Sequence, residues 1–161
     1  MSKTIQLEIV TPTRTELSRQ VEYVMAPTPK GLIGILPGHA PLLTQLAIGV
    51  LKFRAQGETT NLAVSEGYME VTPHKIIVLA EAAELPEQID VERALAAKRR
   101  AEERLYAPLR QQFDYVRART ALQRAINRLQ VVKRGALDRR GGPGGGDNQG
   151  ADAGGLGTRV E

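Results

Sequence analysis

The sequence predicts a mainly β protein with a helical appendage: an N-terminal β-sandwich, then an antiparallel two-helix hairpin, then a disordered glycine-rich tail. Three observations carry that expectation. Short runs of alternating apolar residues recur up to Leu85-Pro86 with Gly and Pro between them. From Asp90 to Arg134 the apolar residues recur at helical spacing instead. The last 27 residues then hold ten glycines with Asp, Asn and Gln between them, too little apolar surface to offset the entropy of ordering. The boundaries fall at 1–86, 87–134 and 135–161.

Ile5-Gln6-Leu7-Glu8-Ile9-Val10 alternates at period two and stops at Thr11-Pro12. Val21–Met25 is a second run, closed by Pro27 and Pro29. The stretch Gly31–Leu43 follows, with three glycines and two prolines among Leu and Ile. Gly31 and Gly34 bracket Leu32-Ile33 and predict a tight bend or bulge. Pro37-Gly38-His39 predicts a type II turn, because Pro fixes φ at the second position and Gly accepts positive φ at the third. The bulky apolar residues on both sides of these turns are expected to be buried. Gly49–Arg54 and Thr60–Val64 form a hairpin about Gln56-Gly57, and Gly67–Val71 and Lys75–Leu79 form another about Thr72-Pro73-His74. A core of Val, Ile, Leu and Ala suits two packed sheets, since aromatics are 4% and Trp is absent.

Asp90 is the N-cap candidate of the first helix, with Glu92 in its first turn. Val91, Ala94, Leu95, Ala101 and Leu105 make its apolar stripe, and Pro108 ends it. Asp114 is the next N-cap candidate. Tyr115, Ala118, Leu122, Ala125, Ile126, Leu129 and Val132 make the second stripe. Both stripes are narrow and rich in Ala, so the hairpin must lean on the sandwich, a partner or a ligand, and it is the segment expected to move.

Composition excludes several chemistries. Cys is absent, so no disulfide or thiolate site exists, and His39 and His74 alone cannot hold zinc. Neither a Gly-x-Ser-x-Gly elbow nor a Walker A loop nor a dinucleotide fingerprint is present, so no catalytic residue and no metal site is expected. No apolar run reaches the ~20 residues of a membrane span, and Met1-Ser2-Lys3-Thr4 leads straight into a strand pattern, which predicts a cytosolic chain. The net charge of +4 is unevenly placed: 87–134 carries 12 Lys/Arg against 6 Asp/Glu, while the flanking segments are each slightly acidic. A basic hairpin implies an anionic partner. One class of partner is nucleic acid, although the chain offers few aromatics for base stacking and has Glu102-Glu103 on the first helix.

The candidate binding residues lie at the helix boundaries. Asp90 and Arg93 share the first turn of the first helix, and Arg124 and Arg128 sit four apart on the second. Together Arg93, Arg124 and Arg128 would grip a polyphosphate, and Asp90 would accept hydrogen bonds from an amine or hydroxyl. The alternative is that Asp90 is only a cap and the arginines only a solvated face. His39 is likewise either a turn histidine bonded to nearby backbone or a partner contact.

Gly-x-Ile-Gly-Ile-Leu-Pro-Gly-His-Ala-Pro-Leu-Leu-Thr, from Gly31, resembles the signature of the epsilon subunit of bacterial F-type ATP synthases. Ile89-Asp90-x-x-Arg93-Ala94 resembles that family's nucleotide-binding motif, and Ala121–Leu129 resembles the second-helix segment of its ATP-binding members from thermophilic bacilli. Glu84 and Arg100 fall at looser matching positions. The resemblance covers roughly residues 3–134 and implies a non-catalytic central-stalk subunit of a proton-translocating synthase, peripheral to the cytoplasmic side of the cell membrane. It needs no cofactor, with ATP as a regulatory ligand at Ile89, Asp90, Arg93, Ala94, Arg124 and Arg128. The implied partners are the gamma subunit, the c-ring and, for an extended hairpin, the alpha and beta subunits. The basic face that includes Arg117 and Arg119 would meet acidic segments of the latter and block ATP hydrolysis. Many members carry an acidic residue directly after the first glycine of the signature. This chain has Leu32, which replaces a polar rotor contact by an apolar one or by a contact through His39.

Overall fold

The computed structural model describes residues 3–107 and 112–140, and among these ten strands form two sheets before two helices. The strands are β1 (Ile5–Val10), β2 (Thr15–Val21), β3 (Tyr23–Thr28), β4 (Gly31–Ile35), β5 (Leu42–Leu46), β6 (Gly49–Ala55), β7 (Glu58–Val64), β8 (Gly67–Val71), β9 (Lys75–Ala80) and β10 (Ala83–Glu84). The helices are α1 (Val91–Tyr106) and α2 (Gln112–Arg140). The first sheet runs β2-β1-β9-β8-β5 and the second β10-β7-β6-β3-β4. All pairings are antiparallel except β1 with β9, which sets Gln6 beside Lys75 and Val10 beside Leu79.

Alternation decides what faces inward. In β1, Ile5, Leu7 and Ile9 are buried and Gln6, Glu8 and Val10 face outward. They meet Leu51 and Phe53 of β6, Met69 and Val71 of β8 and Ile76 and Val78 of β9 in one core between the sheets. The β6–β7 hairpin turns at Gln56 and Gly57, both at positive φ (53° and 79°), the primed turn whose twist matches its strands. Leu36–His39 is the predicted turn: His39 N–H donates to Leu36 O at 3.1 Å and Gly38 has φ 81°.

The expected strand Val21–Met25 is in fact two. β2 ends at Val21 and β3 starts at Tyr23. β2 is an edge strand that pairs only with β1, so Thr-Glu-Leu-Ser-Arg-Gln-Val suffices and its polarity concealed it. The Gly31–Gly34 segment is an edge strand, β4, rather than a bend between the two glycines. The expected burial around it holds for Ile35 and fails for Leu32, Leu36 and Leu43, which are 66%, 63% and 71% exposed. β4 and β5 are opposite-sheet edges joined by the Leu36–His39 turn, so half of their side chains face solvent.

α1 begins at the expected cap: Asp90 Oδ1 accepts from Arg93 N–H at 3.0 Å. It ends at Tyr106, with Ala107 extended at ψ 134°, the conformation favoured before proline. Pro108 lies outside the described residues. α2 begins at Gln112, so Asp114 stands in its first turn, where a carboxylate suits the helix dipole, and is not its cap. Residues 135–140, expected in the tail, continue α2, since one glycine among helix-forming neighbours does not stop a helix that is docked. The rest of the expected tail, 141–161, lies outside the described residues. α1 and α2 pack through Ala94, Ala101, Ala118 and Ala125, all buried. Val91, Leu95 and Tyr115, assigned to the apolar stripes, are 40%, 40% and 48% exposed, whereas Leu105, Leu122, Ile126, Leu129 and Val132 of the same stripes are half-buried. A second small cluster of Ala63, Ile89, Ala94 and Val131 joins both helices to the outer face of the second sheet.

Candidate functional site

The root of the hairpin is a corner of three elements. β10 ends at Glu84, a single 3-10 turn (Pro86–Gln88) redirects the chain, and Asp90 opens α1. In that turn Gln88 Oε1 accepts from Leu85 N–H at 2.8 Å. The antiparallel run of α2 returns Arg128 to the corner, where its Nε–H donates to a Glu84 carboxylate oxygen. These elements enclose a cavity of about 340 Å³ lined by Glu84, Gln88, Ile89, Asp90, Arg93, Ala94, Ala97, Arg100 and Arg128.

Three guanidinium groups and two carboxylates thus face one small space. Ile89 and Ala94 are buried and form its floor, while Arg93 and Arg100 are exposed at its rim. Such a set can bind an anion between the arginines and accept hydrogen bonds from amine or hydroxyl donors at the carboxylates. The Asp90 cap bond uses only part of that carboxylate's capacity.

Of the predicted residues, Ile89, Asp90, Arg93, Ala94 and Arg128 come together here. Arg124 does not line this cavity. Its Nη2 donates to Glu66 Oε2 at 2.8 Å and to Glu81 Oε2 at 3.1 Å, tying α2 to the junctions before β8 and after β9. Burial opposes ionisation of the Glu66 carboxyl, but the Arg124 hydrogen bond, the residue's own backbone N–H and the Arg124 charge outweigh it. The Glu66 pKa therefore lies below the usual carboxylate value. Part of the basic face that raised the nucleic-acid reading is in this way matched internally, Arg124 by Glu66 and Glu81 and Arg128 by Glu84.

The predicted partner-contact residues lie elsewhere. Leu32 is exposed on β4, and His39 is half-buried with Nδ1–H donating to Ala40 O at 2.7 Å, so the turn-histidine arrangement is present. Arg117 and Arg119 are exposed on α2, and Arg117 lines a cleft toward the far end of the hairpin with Glu103, Arg104 and Asp114. A hollow of about 870 Å³, lined by the exposed Tyr68 and Leu79 of the first sheet, has no cation in its lining.

Sequence reasoning missed Asn127. It is 6% exposed, and its Nδ2 donates to Gly49 O at 2.7 Å and Val64 O at 3.3 Å, clamping α2 to the ends of β6 and β7. Its one signal was an amide between Ile126 and Leu129 on the apolar side of the helix. Glu66 and Glu81 gave no signal, since they reach Arg124 only through the fold.

Residues 4–86 match the family description "ATP synthase, Delta/Epsilon chain, beta-sandwich domain", and residues 87–133 match "ATP synthase, Delta/Epsilon chain, long alpha-helix domain". The ATP synthase epsilon chain of Nitratidesulfovibrio vulgaris is 50% identical over 131 residues, 81% of this chain and 97% of that one. The chain belongs to the ATP synthase epsilon-chain family. Another epsilon chain, from Desulforamulus reducens, is 47% identical over 133 residues, 83% of this chain and all of its own length. The fold is also like that of a chain in a cryo-EM structure of the Euglena gracilis mitochondrial ATP synthase (OSCP/F1/c-ring, rotational state 1). There the TM-score is 0.69 at 23% identity, with 83% of this chain and 81% of that chain covered. As an epsilon chain it is a subunit of the synthase other than the catalytic one. Among its described residues no helix is long and apolar enough to cross a membrane.

Proposed function

We propose that this epsilon chain is a non-catalytic, ATP-sensing rotor subunit of a proton-translocating synthase, peripheral to the cytoplasmic side of the cell membrane. The sandwich joins gamma to the c-ring, with Leu32 and His39 on the surface that meets the ring. The hairpin alternates between the compact state described above and an extended state reaching the alpha and beta subunits, where Arg117 and Arg119 meet acidic segments and hydrolysis stops. The observation that carries the reading is the composite cavity at the hairpin root. Its walls come from β10, α1 and α2, so it exists only while the helices lie against the sandwich. ATP bound there favours the compact state by as much as it prefers that state, and no more.

In this arrangement Arg93, Arg100 and Arg128 take the phosphates, and Asp90 and Glu84 take the donors of the nucleoside. Calorimetry on the isolated full-length protein tests it. Wild type should bind ATP, and Arg93→Ala and Arg128→Ala should each weaken binding roughly tenfold or more, as for loss of a charge-assisted bond. Arg124→Ala should weaken it less, because Arg124 acts on the docking of α2 and not on the ligand. No binding at millimolar ATP, or equal binding by the Arg93 and Arg128 variants, overturns the assignment. Removing residues 88–161 should raise the ATPase rate of the reassembled enzyme, and an unchanged rate overturns the inhibitory role.

A further inference from the structure

α2 does not end where the match to the family's helical domain ends. The matched domain stops at residue 133, and the D. reducens chain is covered over its whole length by 133 residues of this one. α2 runs on to Arg140. The added segment touches the sandwich side at two places. Gly135 is buried against Pro86, so close that a Cβ there would stand 3.0 Å from both Pro86 Cβ and Cγ. Three residues further on, Asp138 Oδ2 accepts a hydrogen bond from Asn61 Nδ2 at 2.9 Å.

The spacing shows that this is one continuous docking face. Arg124, Asn127, Val131, Gly135 and Asp138 follow one another at intervals of three or four, so all point the same way from the helix. The first holds Glu66 and Glu81, the second holds the ends of β6 and β7, and the third enters the apolar cluster. Gly135 lets the helix pass over a rigid proline ring, and Asp138 satisfies an amide in the middle of β7. Asn61 is 6% exposed, and a polar group so buried needs a partner. Lifting α2 would strip it of this one.

We propose that residues 135–138 form a C-terminal latch, which keeps the hairpin compact independently of nucleotide and at the opposite end of the docking face from Arg124. The regulatory meaning of the latch rests on the two-state reading above; its existence does not. In this chain the extended state would require that Gly135 leave Pro86 and that Asp138 release Asn61. The nucleotide-free protein would then stay compact where a chain ending near residue 133 would open more readily.

Hydrogen–deuterium exchange on the full-length protein without ATP tests the latch. Asp138→Ala and Gly135→Leu should each speed exchange in residues 124–134 roughly tenfold, the size expected when a charge-assisted bond is lost or a helix is pushed off its seat, with β1 and β9 unchanged. Asp138→Asn keeps an acceptor oxygen and should restore most of the protection. Unchanged exchange in both Asp138→Ala and Gly135→Leu overturns the latch. If α2 loosens in these variants while the ATPase rate of the reassembled enzyme does not move, the latch stands and the inhibitory reading falls.

Discussion

Phe53, Leu51 and Met69 are sealed between two sheets at 0–1% exposure, whereas the seam between α1 and α2 is closed by Ala94, Ala101, Ala118 and Ala125. A large aliphatic or aromatic side chain contributes about 1.5–3 kcal/mol on full burial, and an alanine methyl under about 1 kcal/mol. Beyond the small apolar cluster around Val131, the hairpin therefore stays in place largely through directed polar ties, namely Arg124 to Glu66 and Glu81, Asn127 to Gly49 and Val64, Arg128 to Glu84 and Asp138 to Asn61. Apolar burial resists graded change, because a core is either closed or open. Polar ties can be exchanged one at a time for water, a ligand or another subunit. The two regions differ as a platform differs from a movable arm, and the difference is written in which side chains are buried.

Mutations can break this contrast. The largest effect should come from Phe53→Ala, which opens a void in the core and should lower the free energy of unfolding of the whole protein by about 3–5 kcal/mol in denaturant titration. Asn127→Ala leaves two backbone carbonyls without their donor and should cost about 1–3 kcal/mol, read as faster hydrogen exchange in α2 with the sandwich protected as before. A comparable loss of protection in β1 and β9 would mean that the two regions are one cooperative unit.

Acid should act on the arm before the platform. The Glu66 carboxyl has a folded pKa below its unfolded value, so its contribution to docking is full above the ordinary carboxylate range and is lost as pH falls through the folded value. Protection of α2 relative to its intrinsic exchange rate at each pH should fall on acidification in wild type and respond less in Glu66→Gln. The effect is modest, because Glu66 and Arg124 are each more than a third exposed and solvent screens the pair. The smallest effect is expected at Leu36→Ser, on an exposed turn, where unfolding should change by no more than about 0.5 kcal/mol. Any larger consequence in the assembled synthase would then belong to a partner surface.

How much could be read beforehand follows the same division. Local chemistry was legible: the alternation of β1, the Gln56-Gly57 hairpin, the Pro37-Gly38 turn and the Asp90 cap each depend on neighbours in sequence. What needed the fold was the choice among distant partners. Arg124 and Arg128 look alike on a helix, yet one faces Glu66 and Glu81 and the other Glu84 and the root cavity. The exposure of Leu32, Leu36 and Leu43 depends on β4 and β5 being sheet edges, which no periodicity records. Gly135 read as the start of a flexible tail until Pro86 was found beside it.

The parallel pairing of β1 with β9 has a consequence for how the chain is made. β1 lies inside the first sheet, with β2 on one side and β9 on the other, so the first strand of the sandwich waits for nearly its last. Until Ile76 and Val78 leave the ribosome, β1 has an unpaired edge and an uncovered apolar face of Ile5, Leu7 and Ile9. Closing such a long loop is slow, and the open edge invites pairing with other nascent chains. The sticky period ends with β9, before α1 or α2 has left the ribosome, so the arm emerges onto a platform that can already have closed.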